Sequence, residues 1–138
     1  MYPHLDIRQH GKYNDELRKQ TYKVWHKAVE FFNRASRSAT HFPGTDSFGM
    51  QKKVITSALG AADTLAKASY AKSREIYEHL LKEAEDHIAE TVSSLYIAQK
   101  WGYLNQAMYE ELYEDGRNLT QALLELSSRS GFAREQLN

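Results

Sequence analysis

Residues 14–40 read NDELRKQTYKVWHKAVEFFNRASRSAT, and this stretch decides the fold class. Its apolar and small side chains recur at steps of three and four, the spacing that places them on one face of an α-helix. They are Leu17, Thr21, Val24, Trp25, Ala28, Phe31, Phe32, Ala35 and Ala39. Asn14 is a suitable N-cap, and Asp15 and Glu16 follow it at the positive end of the helix dipole. The stretch is therefore predicted to form one long amphipathic helix.

The helical spacing returns twice in the middle of the chain. Residues 41–46 (HFPGTD) end the first pattern because a Pro-Gly pair cannot continue a helix. Asp46 or Ser47 is the predicted cap of a second helix, which is rich in alanine and other small residues. Ser73 is the predicted cap of a third helix, and Gly102 is a suitable C-terminal stop for it.

A fourth helix is predicted after Asn105, its expected cap. Asp115 and Gly116 interrupt its apolar stripe, so a local kink or a polar contact is expected there. Four helices of roughly 20–30 residues joined by short loops are typical of an all-α, antiparallel up-down-up-down four-helix bundle.

The chain is predicted to hold one globular domain with an extension at each end. We assign residues 1–13 to an N-terminal extension, 14–127 to the bundle and 128–138 to a flexible C-terminal tail. Hydrophobic residues make up 41% and charged residues 26%, the ordinary range of a globular domain. The chain has no cysteine, and its first twenty residues lack the apolar stretch of a signal peptide. We therefore expect a cytoplasmic protein without a membrane partner.

The zero net charge of the chain hides two large, opposite charges. Residues 1–74 contain 13 Lys and Arg against 6 Asp and Glu, whereas residues 75–138 contain 5 against 12. The two parts thus carry +7 and −7. Either they cover each other within one chain, or each meets a complementary surface, which in a self-associating protein is a neighbouring copy.

Basic residues of the first two helices form a candidate nucleic-acid-binding set. Its members are Arg18, Lys19, Lys23, Lys27, Lys52 and Lys53. Tyr22 and Trp25 are interleaved with them, a pattern suited to a phosphate backbone of RNA or DNA. The alternative is an ordinary solvated helix face balanced by the acidic third and fourth helices. An overall isoelectric point near 7.0 favours that alternative, since dedicated nucleic-acid modules are usually basic.

No catalytic motif accompanies these features. The chain lacks Gly-x-Ser-x-Gly and Gly-rich phosphate loops, so neither enzyme activity nor a cofactor is expected. His79, Glu83 and His87 recur at steps of four on the third helix, a spacing that metal ligands use. A ferritin-like metal bundle needs Glu-x-x-His on two helices, and this chain contains none. A metal-binding bundle is therefore the least favoured function, and a solvated charged face is the preferred interpretation.

Several short motifs resemble the 23S rRNA intervening-sequence proteins, also called the four-helix bundle protein family. Tyr22–Ala28 (YKVWHKA) is similar to the LKVWQKA of that family's first helix, and Phe42–Pro43 to the FP that follows it. Phe48–Met50 (FGM) resembles FGL at the start of the second helix, and Gly102–Leu104 matches GYL at the end of the third. The order and spacing of these motifs agree over roughly residues 20–127.

The second helix departs from the family pattern. Members typically carry an Arg-Arg-Ala…Ser…Asn-x-Ala-Glu-Gly signature there, of which only the alanine is kept. The corresponding residues are Ile55, Thr56, Ser57, Gly60, Thr64, Ala66, Lys67 and Ala68. The resemblance implies a non-enzymatic homo-oligomeric ring, commonly a homopentamer, with a link to nucleic acid. A more distant resemblance, to the accessory protein of diversity-generating retroelements, implies the alternative of a protein-only adaptor such as an accessory subunit of a reverse transcriptase.

Overall fold

The protein is a bundle of four α-helices. The computed structural model describes the backbone of residues 12–46 and 48–137, and the side chains of residues 15–46 and 48–131. The helices are α1 (Lys12–Ala39), α2 (Met50–Ala68), α3 (Arg74–Lys100) and α4 (Gln106–Leu137). No strand occurs among the described residues. The all-α four-helix bundle predicted from the sequence is confirmed.

Each helix packs against the helices next to it in the chain, and α4 returns to pack against α1. The core between them is made of apolar side chains from all four helices. The largest fully buried ones include Val54, Leu65, Ile88, Leu95, Leu112 and Leu123. Removing this apolar surface from water is the main stabilising contribution to the fold.

The small side chains of α2 allow close packing with its two neighbours. Its buried face includes Ser57, Ala58, Ala61, Ala62, Ala66 and Ala68. On the α3 side, the hydroxyl oxygens of Ser57 and Thr91 lie 2.7 Å apart. One hydroxyl donates to the other, and the one that accepts donates its own hydrogen to a carbonyl of its own helix, that of Lys53 for Ser57 or of His87 for Thr91. The two buried polar groups are therefore satisfied within the α2–α3 contact.

The predicted signals at the ends of α3 and α4 act as expected. The Ser73 hydroxyl accepts a hydrogen bond from the Ile76 backbone N–H at 3.1 Å and caps α3. The Asn105 side-chain oxygen accepts one from the Met108 N–H at 2.7 Å and caps α4. Gly102 follows α3 with φ of +79°, a left-handed conformation that glycine adopts without steric cost.

The N-cap of α2 is Gly49 and not the predicted Asp46, which lies four residues before the first helical residue. The Asp46 carboxylate oxygens still accept hydrogen bonds from the backbone N–H groups of Met50 and Gln51, at 3.0 and 2.8 Å. Gly49, in the left-handed region at φ of +69°, turns the chain between Asp46 and the helix. The other predicted cap, Ser47, lies outside the described residues.

α4 continues beyond residue 127, where the sequence predicts that the bundle ends. Residues 128–137 are helical and belong to α4. Ser130 is buried, and it lines a small cavity together with Leu17 and Tyr77. α1 also starts two residues before the predicted cap, at Lys12. The flexibility predicted for residues 128–138 stays a prediction, and most of the N-terminal extension lies outside the described residues.

The polar contact predicted at Asp115 and Gly116 is confirmed. The Asp115 carboxylate accepts a hydrogen bond from the Arg34 guanidinium of α1, which also pairs with Glu111 at 3.3 Å. Gly116 is buried, and a Cβ atom placed on it would lie 2.9 Å from Cγ2 of Val92. Asp115 therefore links α4 to α1, and Gly116 allows α4 to pack closely against α3.

One hydrogen bond crosses the core diagonally. The hydroxyl oxygens of Thr21 on α1 and Tyr77 on α3 lie 2.6 Å apart. Burial raises the pKa of Tyr77 to about 12, because the phenolate would lose its hydration, while the hydrogen bond to Thr21 acts in the opposite direction to a smaller extent. Tyr77 therefore stays protonated in the folded protein at a pH where the phenol of an unfolded chain has ionised.

We expect Tyr77 to make the fold sensitive to alkali. As the pH rises from 10 to 12, the unfolded state releases the Tyr77 proton and the folded state keeps it, so this residue lowers stability by up to about 1.4 kcal/mol per pH unit. Denaturant unfolding across this window should show a shallower pH dependence for Tyr77→Phe, in which Thr21 keeps its bond to the Leu17 carbonyl. The exposed Tyr113→Phe is the control and should follow the wild type. Equal slopes for Tyr77→Phe and the wild type would contradict the assignment.

Candidate functional site

Three of the predicted basic residues form an exposed row on α1. Lys19, Lys23 and Lys27 follow one another at four-residue steps, about 6 Å apart along the helix axis. All three side chains are exposed, and none has a carboxylate oxygen within 4.0 Å among the described residues. We call these three residues the α1 lysine row. Its ammonium groups are available to an anionic partner.

Arg18 does not belong to the α1 lysine row. Only 5% of this residue is exposed, and its guanidinium carbon lies 5.9 Å from the centre of the Tyr70 ring. One residue along an α-helix is a rotation of about 100°, which turns Arg18 away from Lys19 and toward the α2–α3 connection. Because the side chain is buried, Arg18 is removed from the candidate nucleic-acid-binding residues.

Lys27 lies at the edge of a groove between α1 and α4. The groove is also lined by Glu30, Arg34 and Asp115. Two acidic and two basic residues therefore line this groove, and two of them, Arg34 and Asp115, form an ion pair.

Lys52 and Lys53 lie on a different surface, a groove of about 1030 Å³ between α2 and α3. They share it with Phe48, whereas Asp86 and Glu90 contribute acidic groups from α3. Both lysines are exposed and, within the described part of the chain, have no carboxylate oxygen within 4.0 Å. The structure thus divides the predicted basic set into two separate surfaces.

An exposed aromatic pair lies at the same end of the bundle as Lys52 and Lys53. Phe48 is 68% exposed and Trp101 is 45% exposed, and their ring centres are 5.3 Å apart. Trp101 also contacts Tyr103, which packs on the buried Phe42. We call Phe48 and Trp101 the aromatic step. Sequence reasoning missed it, although each residue stands next to a glycine that ends or precedes a helix.

A second set of exposed aromatic side chains lies on α3 and α4. The Tyr96 and Tyr109 rings are 5.8 Å apart, and the Tyr109 and Tyr113 rings 6.1 Å. Tyr96 and Tyr113 are each 47% exposed, and Leu124 is 50% exposed further along α4. We call the three tyrosines the α3–α4 aromatic face. Its surroundings belong to the acidic part of the chain.

The histidines of α3 do not come together with other ligands. His79 and Glu83 are exposed, and the His87 ring packs over Gly60, where an added Cβ would lie 2.9 Å from it. Within the described residues, no group of three or more His, Asp and Glu side chains is placed to hold a metal ion. His79 and His87 are about 12 Å apart along the helix axis, too far to bind the same metal ion. A metal ion at either histidine needs its other ligands from other helices.

The family model of the 23S rRNA-intervening sequence protein matches residues 20–125. The chain belongs to this family. The resemblance seen in the sequence is thereby confirmed, and the match covers most of the bundle. No curated protein matches the chain.

A solved structure shows the same fold. It is a protein of unknown function from the S23 ribosomal protein family of Bacteroides thetaiotaomicron VPI-5482. The two chains are 17% identical and superpose with a TM-score of 0.59 over 80% of this chain and 97% of the other. At this identity the similarity supports the fold and not a particular activity.

The loop motifs shared with the 23S rRNA-intervening sequence family meet at one end of the bundle, whereas Tyr22–Ala28 lies within α1. Phe42 of the first loop and Tyr103 of the α3–α4 turn pack against each other, with ring centres 5.6 Å apart. Gly102 turns the chain between them, and Leu104 is buried. These motifs therefore hold the two loops together. None of the four helices, over the described residues, has an apolar run long enough to cross a membrane.

Proposed function

We propose that this member of the 23S rRNA-intervening sequence family is a non-enzymatic scaffold that forms a homopentameric ring and associates with RNA or DNA. The observation that carries the proposal is the separation of charge between two pairs of helices. α1 and α2 together contain ten Lys and Arg against four Asp and Glu, whereas α3 and α4 contain six against twelve. A protein surface of this kind favours contact between the basic side of one molecule and an acidic partner.

Few of the described ion pairs join the basic and the acidic helix pairs. Arg34 of α1 pairs with Glu111 and Asp115 of α4. Arg74 pairs with Glu78 and Arg117 with Glu114, within α3 and within α4. The exposed Lys19, Lys23 and Lys27 have no carboxylate oxygen within 4.0 Å among the described residues, so their charge is available to other molecules.

The α3–α4 aromatic face supports the ring. Tyrosine is enriched in the buried centre of protein interfaces, and half-exposed apolar side chains gain free energy when a second copy covers them. A basic side meeting an acidic side on the next copy is a heterologous contact, which closes into a ring when the rotation between copies allows it. The charges orient this contact and the aromatic side chains stabilise it.

The α1 lysine row supports the association with nucleic acid. Three exposed ammonium groups, which have no carboxylate partner among the side chains that the structure describes, attract phosphate groups and release the counterions bound to them. The affinity of such a contact falls steeply as the salt concentration increases. This salt dependence distinguishes it from the ring contact, which apolar side chains make.

The proposal is tested by light scattering on a sizing column, at low and high salt, together with binding of labelled RNA and DNA. We expect a mass near five times the 15.9 kDa chain, and salt-dependent binding. Lys19→Glu, Lys23→Glu and Lys27→Glu together should abolish binding, because each reversal replaces a phosphate contact by a repulsion. The matched control reverses Lys82, Arg117 and Arg129, which are exposed on α3 and α4, and should retain binding.

Three results would count against parts of the proposal. A monomer at micromolar concentration contradicts the ring. Equal nucleic-acid binding by the α1 variant and the wild type contradicts the role of the α1 lysine row. A stable ring that binds neither RNA nor DNA at low salt would favour the protein-only adaptor, for which co-purification with a distinct polypeptide is the expected result.

A further inference from the structure

We infer that the aromatic step and the adjacent Lys52 and Lys53 form a stacking site for the bases of single-stranded nucleic acid. The inference rests on the nucleic-acid association proposed above and adds a second contact surface to it. The α1 lysine row offers charge alone, whereas this surface combines charge with exposed aromatic rings.

Phe48 and Trp101 come from distant parts of the chain and lie side by side in solvent. Their ring centres are 5.3 Å apart with an angle of 48° between the ring planes. Phe48 has 68% and Trp101 45% of its surface exposed, an unfavourable arrangement for two large aromatic side chains. Every nucleobase has a flat π-face that covers such a ring, so stacking is tolerant of sequence.

The lysines place positive charge where the backbone of a stacked strand would pass. Phe48, Lys52 and Lys53 line the same groove between α2 and α3, together with the hydroxyl groups of Ser93 and Ser94. Single-stranded nucleic acids are held by this combination of basic and aromatic side chains.

The charged residues of the groove also indicate where a nucleic-acid strand lies and which class of partner the groove fits. Asp86 and Glu90 line the groove as well and repel phosphate groups, so the strand should lie at the end that holds Phe48 and the lysines. Lysine is depleted in the buried centre of protein interfaces. A nucleic acid therefore fits this surface better than a second protein does.

The test measures the affinity of the full-length protein for a fluorescently labelled oligo(U) of about ten nucleotides, by anisotropy at several salt concentrations. Phe48→Ala and Trp101→Ala should each weaken binding about tenfold, and Trp101→Phe should stay within about threefold of the wild type. Lys52→Gln with Lys53→Gln should reduce the slope of log K against log salt by about 1.4, the value for two lost phosphate contacts. Ile76→Ala, at an exposed apolar residue near the other end of α3, is the control and should bind like the wild type.

The outcomes separate this inference from the proposed function. If the wild type binds and the α1 triple variant does not, but Phe48→Ala and Trp101→Ala bind normally, the stacking site is overturned and the association through α1 stands. If the wild type binds no oligonucleotide at low salt, both are overturned. If the aromatic variants change the mass of the ring and leave the affinity unchanged, the aromatic step is a contact between copies and the inference is also overturned.

Discussion

Leu123→Ala is expected to lower the free energy of unfolding by about 2–5 kcal/mol, because it removes a fully buried side chain and leaves a cavity. Leu123 is 1% exposed and lies in the core contributed by α4. Neighbouring buried residues such as Leu112 and Leu119 are held on the same helix and can close the cavity only in part. The measurement is denaturant unfolding followed by far-ultraviolet circular dichroism.

Leu124 provides the matched control for this variant. It is the next residue along α4, the same amino acid, and 50% exposed. Leu124→Ala is expected to change the unfolding free energy by no more than about 0.5 kcal/mol. The two variants should be compared at two protein concentrations, since a role of Leu124 in the ring would make its effect concentration-dependent. Equal losses of unfolding free energy for the two variants at both concentrations would contradict the orientation of α4, in which Leu123 is buried and Leu124 is exposed.

Gly116→Val is expected to lower the free energy of unfolding by about 2–3 kcal/mol, through overpacking. The Cβ atom alone would lie 2.9 Å from Cγ2 of Val92, 3.5 Å from Cγ2 of Ile88 and 3.6 Å from Cε1 of Phe31. The steric cost outweighs the better helix propensity of valine, which is worth less than about 1 kcal/mol relative to glycine. Arg117→Val, at the exposed neighbouring position, should cost less than about 1 kcal/mol.

A double-mutant cycle identifies the atom responsible. Val92→Ala removes the methyl group that the new side chain at residue 116 would strike. The double variant Gly116→Val with Val92→Ala should therefore be more stable than the sum of the single losses by about 0.5–3 kcal/mol. Strict additivity, measured by the same unfolding experiment, would show that the cost at Gly116 arises elsewhere than in the contact with Val92.

The ends of the helices could be predicted from the sequence because their signals are local. Ser73 and Asn105 cap helices through side-chain bonds to backbone groups three residues away, and Gly102 turns the chain by its own conformation. The extension of α4 beyond residue 127 has no comparable local cap or stop signal. The burial of Ser130 depends on contact with other helices, which its neighbours in the chain do not indicate.

The candidate site was predictable only in part. Lys19, Lys23 and Lys27 are exposed as the helical period requires, because a single helix determines which of its residues share a face. Arg18 belongs to the same run of sequence, and its burial beside Tyr70 depends on how α1 meets the α2–α3 connection. The division of the lysines between two surfaces likewise follows from helix packing.

By itself the sequence determined the class of fold, most helix ends, the charge of each helix pair and the family, since each depends on residues near one another in the chain. The tertiary structure alone decided which side chains are buried and which distant residues meet. It brings Phe48 to Trp101 and Arg34 to Asp115, pairs that are 53 and 81 residues apart in the sequence. Such contacts arise from the packing of whole helices, which no local pattern encodes.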